Sequence, residues 1–138
     1  MAGKYLNRKI DSELSLWKEE ENRKPLLLHG ARQVGKSSSV RKLAENFNYF
    51  VEINFEKNRK VHGYFMGDLD VKEICANLSV QFSMPIIPNK TLLFLDEIQS
   101  CPNAISALRF FYEDYPELHV IAAGSLLEFA FEELPSFG

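Results

Sequence analysis

Hydrophobic and polar positions alternate along this chain in two distinct rhythms. Three short apolar runs are continuous: Leu26-Leu27-Leu28-His29 behind Pro25, Thr91-Leu92-Leu93-Phe94-Leu95, and His119-Val120-Ile121-Ala122-Ala123. They stop at Gly30, Asp96 and Gly124 respectively. Continuous runs of this length suit strands covered on both faces, as in a parallel sheet. Tyr49 to Phe55 is strand-like too, with partial alternation. Helical segments separate the strands, at about 36–46, 69–82 and 103–114. Ahead of them, Ile10, Leu14 and Trp17 share one helical face, and the charged stretch Lys18 to Lys24 ends that helix before Pro25. Pro85 and Pro88 bracket a turn before the third strand, and a last helix is expected from Ser125 to Glu133. Strand and helix in strict alternation predict an α/β fold on a parallel sheet.

Composition narrows the class. The chain has 138 residues, 46% hydrophobic and 25% charged, which suits one domain. Apolar runs of four or five residues are far too short to span a bilayer, so no membrane partner is expected. The first ten residues carry Lys4, Arg8 and Lys9 without the apolar stretch of a secretory signal. Cys75 and Cys101 lack metal-type spacing, and His29, His62 and His119 are isolated. These features read as ordinary thiols in a reducing cytosol, hence a cytoplasmic protein. The net charge of −3 is unevenly spread: residues 1–60 hold 13 bases and 8 acids, residues 61–138 hold 3 and 11. Arg23, Lys24, Arg32, Lys36, Arg41 and Lys42 crowd around one glycine-rich loop, and a phosphate ligand accounts for them more economically than a nucleic-acid duplex.

That loop is Gly30-Ala31-Arg32-Gln33-Val34-Gly35-Lys36-Ser37, which fits G-x-x-x-x-G-K-[ST] directly between a strand and a helix. The two glycines let the backbone curl with its N–H groups inward. The helix that follows offers its unpaired N-terminal N–H groups and positive dipole end to the same anion. Lys36 would reach the β- and γ-phosphates, the Ser37 hydroxyl would complete the shell of a bound Mg²⁺, and Ser38 continues the binding set.

Asp96-Glu97 supplies the acidic counterpart. The third strand delivers Asp96 at its C-terminal end, where open α/β sheets bind ligands. Asp96 would hold the metal through water, as partner to Ser37, and Glu97 would orient and deprotonate an attacking water. Water activation points to hydrolysis rather than to transfer onto a small molecule.

The phosphate loop, Leu93-Phe94-Leu95-Asp96-Glu97-Ile98-Gln99 and Ala122-Ala123-Gly124-Ser125-Leu126-Leu127-Glu128 together resemble a family of prokaryotic AAA-type ATPases. Tyr5-Leu6-Asn7-Arg8-Lys9-Ile10 is similar to that family's N-terminal segment. Members pair this core with a C-terminal domain often described as nuclease-like in fold. The resemblance implies a three-layer P-loop NTPase with strands ordered 5-1-4-3-2, ATP and Mg²⁺ as ligands, and ATP hydrolysis. In the family, a stretch like Leu134-Pro135-Ser136-Phe137 leads to a Val-Gly-Arg segment, the fifth strand and a helical lid. Here the expected sheet is therefore 1-4-3-2, with residues 1–24 flanking the nucleotide and 25–138 forming the core. Weak turnover and self-association at the uncovered edge of the first strand follow. Any nucleic-acid or protein partner would act through the region that is absent. The alternative reading is a nucleotide-binding interaction module without turnover.

Five further residues carry two readings each. Ser125 is either a polar sensor of the γ-phosphate or the cap of the next helix. Asn54 either turns Glu97 aside until a partner binds or bonds a turn at a strand end. Arg109 is either an arginine finger for a neighbouring subunit or a solvated, salt-bridged helix residue. Tyr5 and Ile10 either pack on the adenine or simply pack.

Overall fold

The computed structural model describes residues 8–21, 23–29 and 34–124. Its elements run α1 (Arg8–Glu19), β1 (Leu26–His29), α2 (Val34–Ala44), β2 (Tyr49–Asn54), α3 (Val71–Phe82), β3 (Thr91–Asp96), α4 (Pro102–Asp114) and β4 (His119–Gly124). Two 3₁₀ segments, Arg59–Phe65 and Ile98–Ser100, follow β2 and β3. The strands form one sheet in the order β1-β4-β3-β2, and every pair is parallel. This is the 1-4-3-2 arrangement expected from the sequence. Among the described strands, β1 pairs with β4 alone.

Position in that sheet explains the pattern of three strands, whereas β1, at the end of the described order, has a continuous apolar run in which Leu27 is buried and Leu26 and Leu28 are half-buried. β3 and β4 are central, and Thr91 to Leu95 and His119 to Ala123 are buried without a break. β2 lies at an edge, where only Val51 and Ile53 are buried, hence its partial alternation. Successive side chains of a strand serve opposite layers. Ile53, Leu93, Leu95, Val120 and Ala122 face a core shared with α3, α4 and the first 3₁₀ segment. Leu92, Phe94, Ile121 and Ala123 pack instead with Leu14 and Trp17 of α1 and Val40 and Leu43 of α2. The result is helix, sheet and helix in three layers.

Local chemistry sets the element ends. Asp70 caps α3, its side chain accepting from the N–H groups of Lys72 and Glu73 at 3.1 and 3.3 Å. Pro102 opens α4, where its missing N–H costs nothing. The Pro85–Pro88 turn is locked by Thr91, whose hydroxyl donates to the Pro85 carbonyl and accepts from Ile87 N–H, both at 2.9 Å. The first 3₁₀ segment has no counterpart among the expected elements. It exists because Val61 and Phe65 bury under the sheet, with Phe65 edge-on to Phe55. The expected helix Ser125–Glu133 lies outside the described residues.

Below the sheet, at the N-terminal ends of the strands, a polar knot ties α1 to β4. The Arg23 guanidinium donates to the carbonyls of Lys18, Glu20 and Glu117 at 3.3, 2.9 and 3.0 Å. His119 Nε2 bonds the Lys18 carbonyl at 3.0 Å, and its ring meets Trp17 and Phe47 edge-on. Trp17 Nε1 donates to the Lys24 carbonyl at 2.6 Å. Arg23, counted in the sequence with the phosphate loop, thus sits at the other end of β1 and is 6% exposed. Its role is to hold backbone carbonyls.

Candidate functional site

Because all four strands are parallel, their C-terminal residues line one edge of the sheet. In spatial order these are His29, Gly124, Asp96 and Asn54. The loop residues Gly30, Ala31, Arg32 and Gln33 lie outside the described residues, as do Ser125 and Tyr5. Val34, Gly35 and Lys36 open α2, and of these three the backbone alone is described. Ser37 is half-buried and Ser38 exposed in the following turn. No acidic residue occupies the first turn of α2, while Arg41 and Lys42 stand in its last. That distribution leaves the helix N-terminus open to an anion.

Phe94 faces α2, and Asp96, two residues further along β3, lies on the same side of the sheet. Asp96 Oδ1 accepts the N–H of Glu97 at 2.9 Å. Burial raises the pKa of Asp96; the nearby carboxylates Glu97 and Glu52 add to this, while the Glu97 N–H bond and the Arg41 charge oppose it. Arg41 grips Glu52 with both ends of its guanidinium, Nε to Oε1 at 3.0 Å and Nη2 to Oε2 at 2.8 Å. The pair fastens α2 to β2 one turn beyond Ser37. Among the described residues, Asp96 thus has the carboxylates of Glu97 and Glu52 and the guanidinium of Arg41 as its charged neighbours. Hard oxygen donors, the Ser37 hydroxyl and the Asp96 carboxylate, fit Mg²⁺. Among the described residues no group of three or more His, Cys, Asp or Glu could hold a metal by itself.

Glu97 has φ +51° and ψ +44°, a left-handed conformation rare for a residue with a side chain. Such outliers persist only where the surroundings over-determine them. Here the Asp96 carboxylate takes the Glu97 N–H, Ser100 N–H donates to its carbonyl at 3.1 Å, and Gln99 Nε2 donates to Oε1 at 2.8 Å. The turn brings a glutamate that is only 9% exposed to the ligand edge of the sheet.

The remaining candidates separate cleanly. Asn54 is a turn residue: its Oδ1 accepts from the N–H groups of Glu56 and Lys57 at 2.9 and 3.0 Å. Arg109 pairs with Glu113 one helical turn away at 3.1 Å on an exposed face of α4. Lys42 approaches Asp11 of α1 at 3.8 Å. Ile10 packs against the α1–α2 side of the core. Two participants carried no role in the sequence reading. Glu52 was one charge in a strand-like run, and Gln99 stood in a recognised motif without a task of its own.

The family model described as AAA domain matches residues 22–137. The chain therefore belongs to that family, and a P-loop nucleotide site comes with the membership. Neither a curated protein nor a solved structure matches it. Among the described residues, no helix is long and apolar enough to cross a membrane.

Proposed function

We propose that this AAA domain binds ATP with Mg²⁺ and hydrolyses it by an in-line water. The observation that carries the reading is the meeting, at one sheet edge, of an acid-free helix N-terminus with Asp96 and a glutamate pinned in a left-handed turn. In this reading the backbone of Gly30 to Gly35 cradles the phosphates, and Lys36 places its charge opposite the β- and γ-phosphates. Ser37 and Asp96 would hold Mg²⁺, which when bound offsets phosphate charge. Glu97 orients the attacking water and accepts its proton. Of residues 1–24 only the beginning would flank the nucleotide, because Trp17 to Lys24 lie at the opposite ends of the strands, and Ser125 would meet the γ-phosphate from the end of β4. Arg109, paired with Glu113 on an exposed face of α4, carries no step of this reading. A second copy of the chain is the partner suited to the outer edge of β1.

The same contacts support a second reading, a nucleotide-binding module that does not turn over, since Gln99 already holds the Glu97 carboxylate. Calorimetry and a phosphate-release assay separate the two. Lys36→Ala is expected to abolish ADP and ATP binding, whereas Glu97→Gln should keep binding and lower hydrolysis by about 10² to 10⁴. Equal nucleotide affinity in Lys36→Ala and wild type would sink the phosphate-loop reading. Tight binding with no Mg²⁺-dependent release would favour the second.

A further inference from the structure

The side-chain amide of Gln99 has two ends in unlike situations. Nε2 donates to Glu97 Oε1 at 2.8 Å. The other end, Oε1, is buried without a hydrogen-bond partner. A buried carbonyl left unpaired costs free energy and calls for a reason. Turning the amide over removes the cost at neither end. It would set a carbonyl against the carboxylate and leave a buried NH₂ without an acceptor. The carboxylate therefore fixes the amide's orientation.

Gly124 fixes its position. A Cβ on this last residue of β4 would overlap Gln99 Oε1, and would press on Gln99 Cδ and Ile98 N at 3.3 and 3.2 Å. The amide thus rests on the end of β4, in space from which a Cβ would displace its oxygen, while it grips a carboxylate presented at the end of β3. Gln99 reaches this seat from the short 3₁₀ segment Ile98–Ser100, whose start is set by the left-handed backbone of Glu97. Side chain and backbone constrain the same residue from two directions.

We infer that Gln99 is the positioning residue of Glu97, seated on Gly124 so that the end of β4 sets the orientation of the carboxylate. This rests on the hydrolytic role proposed for Glu97. A charge-assisted bond from an uncharged amide holds the carboxylate without neutralising it. An Nε2–Oε1 bond also selects one rotamer of a side chain that otherwise has several. The unpaired Oε1 gives the arrangement a second input. A donor reaching the end of β4, whether a water or a ligand O–H, would complete the amide's bonding and tighten its hold on Glu97. Displacement of the amide from Gly124 would release it.

The test is a kinetic cycle on the full chain with Gln99→Ala, the near-isosteric Gln99→Glu, Gly124→Ala and Glu97→Gln. Gln99→Ala should lower kcat by about tenfold to a hundredfold, the range found when the supporting partner of an active-site group is lost. KM for ATP should stay within about twofold, because the residue acts on Glu97 and not on the phosphates. Gln99→Glu, which replaces the donor with a second carboxylate, should lose at least as much and covers the case that the alanine variant folds poorly. Gly124→Ala should lower kcat by a similar factor and add nothing to Gln99→Ala. In the Glu97→Gln background, Gln99→Ala should have no further effect. Parental kcat in both Gln99 variants, or the same loss with and without Glu97, overturns the inference. A parent chain that binds ATP without turning it over sinks the hydrolytic role instead. The contact is then judged in the unliganded protein by the side-chain amide resonances of Gln99, identified by their loss in Gln99→Ala. They should move in Glu97→Ala, and unmoved resonances overturn the inference.

Discussion

Asn54 and Asp96 stand directly opposite each other in the parallel register of β2 and β3, yet their side chains serve different structures. Asp96 turns to the N–H of Glu97, and Asn54 to the N–H groups of Glu56 and Lys57. Asn54→Ala should therefore cost about 1 kcal/mol of stability, the usual worth of a side chain capping a turn or helix end. Asn54→Asp should keep most of it. Urea unfolding measures this, and kcat should not respond. A tenfold change in turnover at unchanged stability would place Asn54 in the control of Glu97 after all.

Asp96 carries a conflict between stability and ligand binding. Burial and two neighbouring carboxylates raise its pKa, so the folded chain holds its proton more tightly than the unfolded chain does. Stability from this residue is complete below the unfolded pKa and is lost as pH rises through the folded one. At neutral pH, Asp96→Asn should raise the Tm of the metal-free protein, since an amide keeps the acceptor for Glu97 N–H without the charge. The same variant should lose most of the Tm increase that Mg-ATP confers on the parent. A lower Tm in metal-free Asp96→Asn would show that the charge is stabilising.

His119 makes stability depend on pH in the opposite sense. It is 4% exposed, and burial lowers its pKa from 6.5 to about 4, with the charges of Arg23 and Lys18 pushing the same way. The Lys18 carbonyl and Glu19 oppose the shift. With Nε2 donating to that carbonyl, Nδ1 is a buried nitrogen without a partner, suited to the neutral ring. Between these two pKa values the unfolded chain is protonated and the folded chain is not. Stability should fall as pH drops from 6.5 toward 4, by up to about 3 kcal/mol in all. His119→Gln should flatten that dependence in urea titrations at a series of pH values. An unchanged slope would assign the acid sensitivity to other groups.

Arg23 is a structural cation. Its removal would leave the carbonyls of Lys18, Glu20 and Glu117 without their shared donor, at the junction of α1 with β4. Arg23→Ala should cost about 2 to 4 kcal/mol, and Arg23→Lys should recover less than half, because a single ammonium lacks the planar fork that reaches three acceptors. Nucleotide affinity, measured where both variants are folded, should not change. A selective loss of ATP binding would return Arg23 to the phosphate site.

Legibility in the sequence followed the range of the interaction concerned. Leu92 to Leu95 and Val120 to Ala123 announced central strands because double-sided burial leaves a continuous apolar run. Gly30, Gly35 and Lys36 suggested a phosphate loop because their spacing is itself the requirement of the chemistry, and the family supports a P-loop nucleotide site in general. The order of the strands was implied by resemblance, and hydrogen bonding between β1 and β4 shows it in the structure. What only the tertiary structure decided is who holds whom. Arg23 was assigned with the loop by proximity in sequence, but its acceptors are backbone carbonyls, which look alike at every position. Arg41 found Glu52 through the packing of α2 on an edge strand. Gln99 gained its task because Gly124 lacks a side chain where the ends of β3 and β4 adjoin. Periodicity and motif spacing act along the chain and can be read there. Partners chosen across the sheet depend on the register and on the layer a helix covers, and no local pattern encodes either.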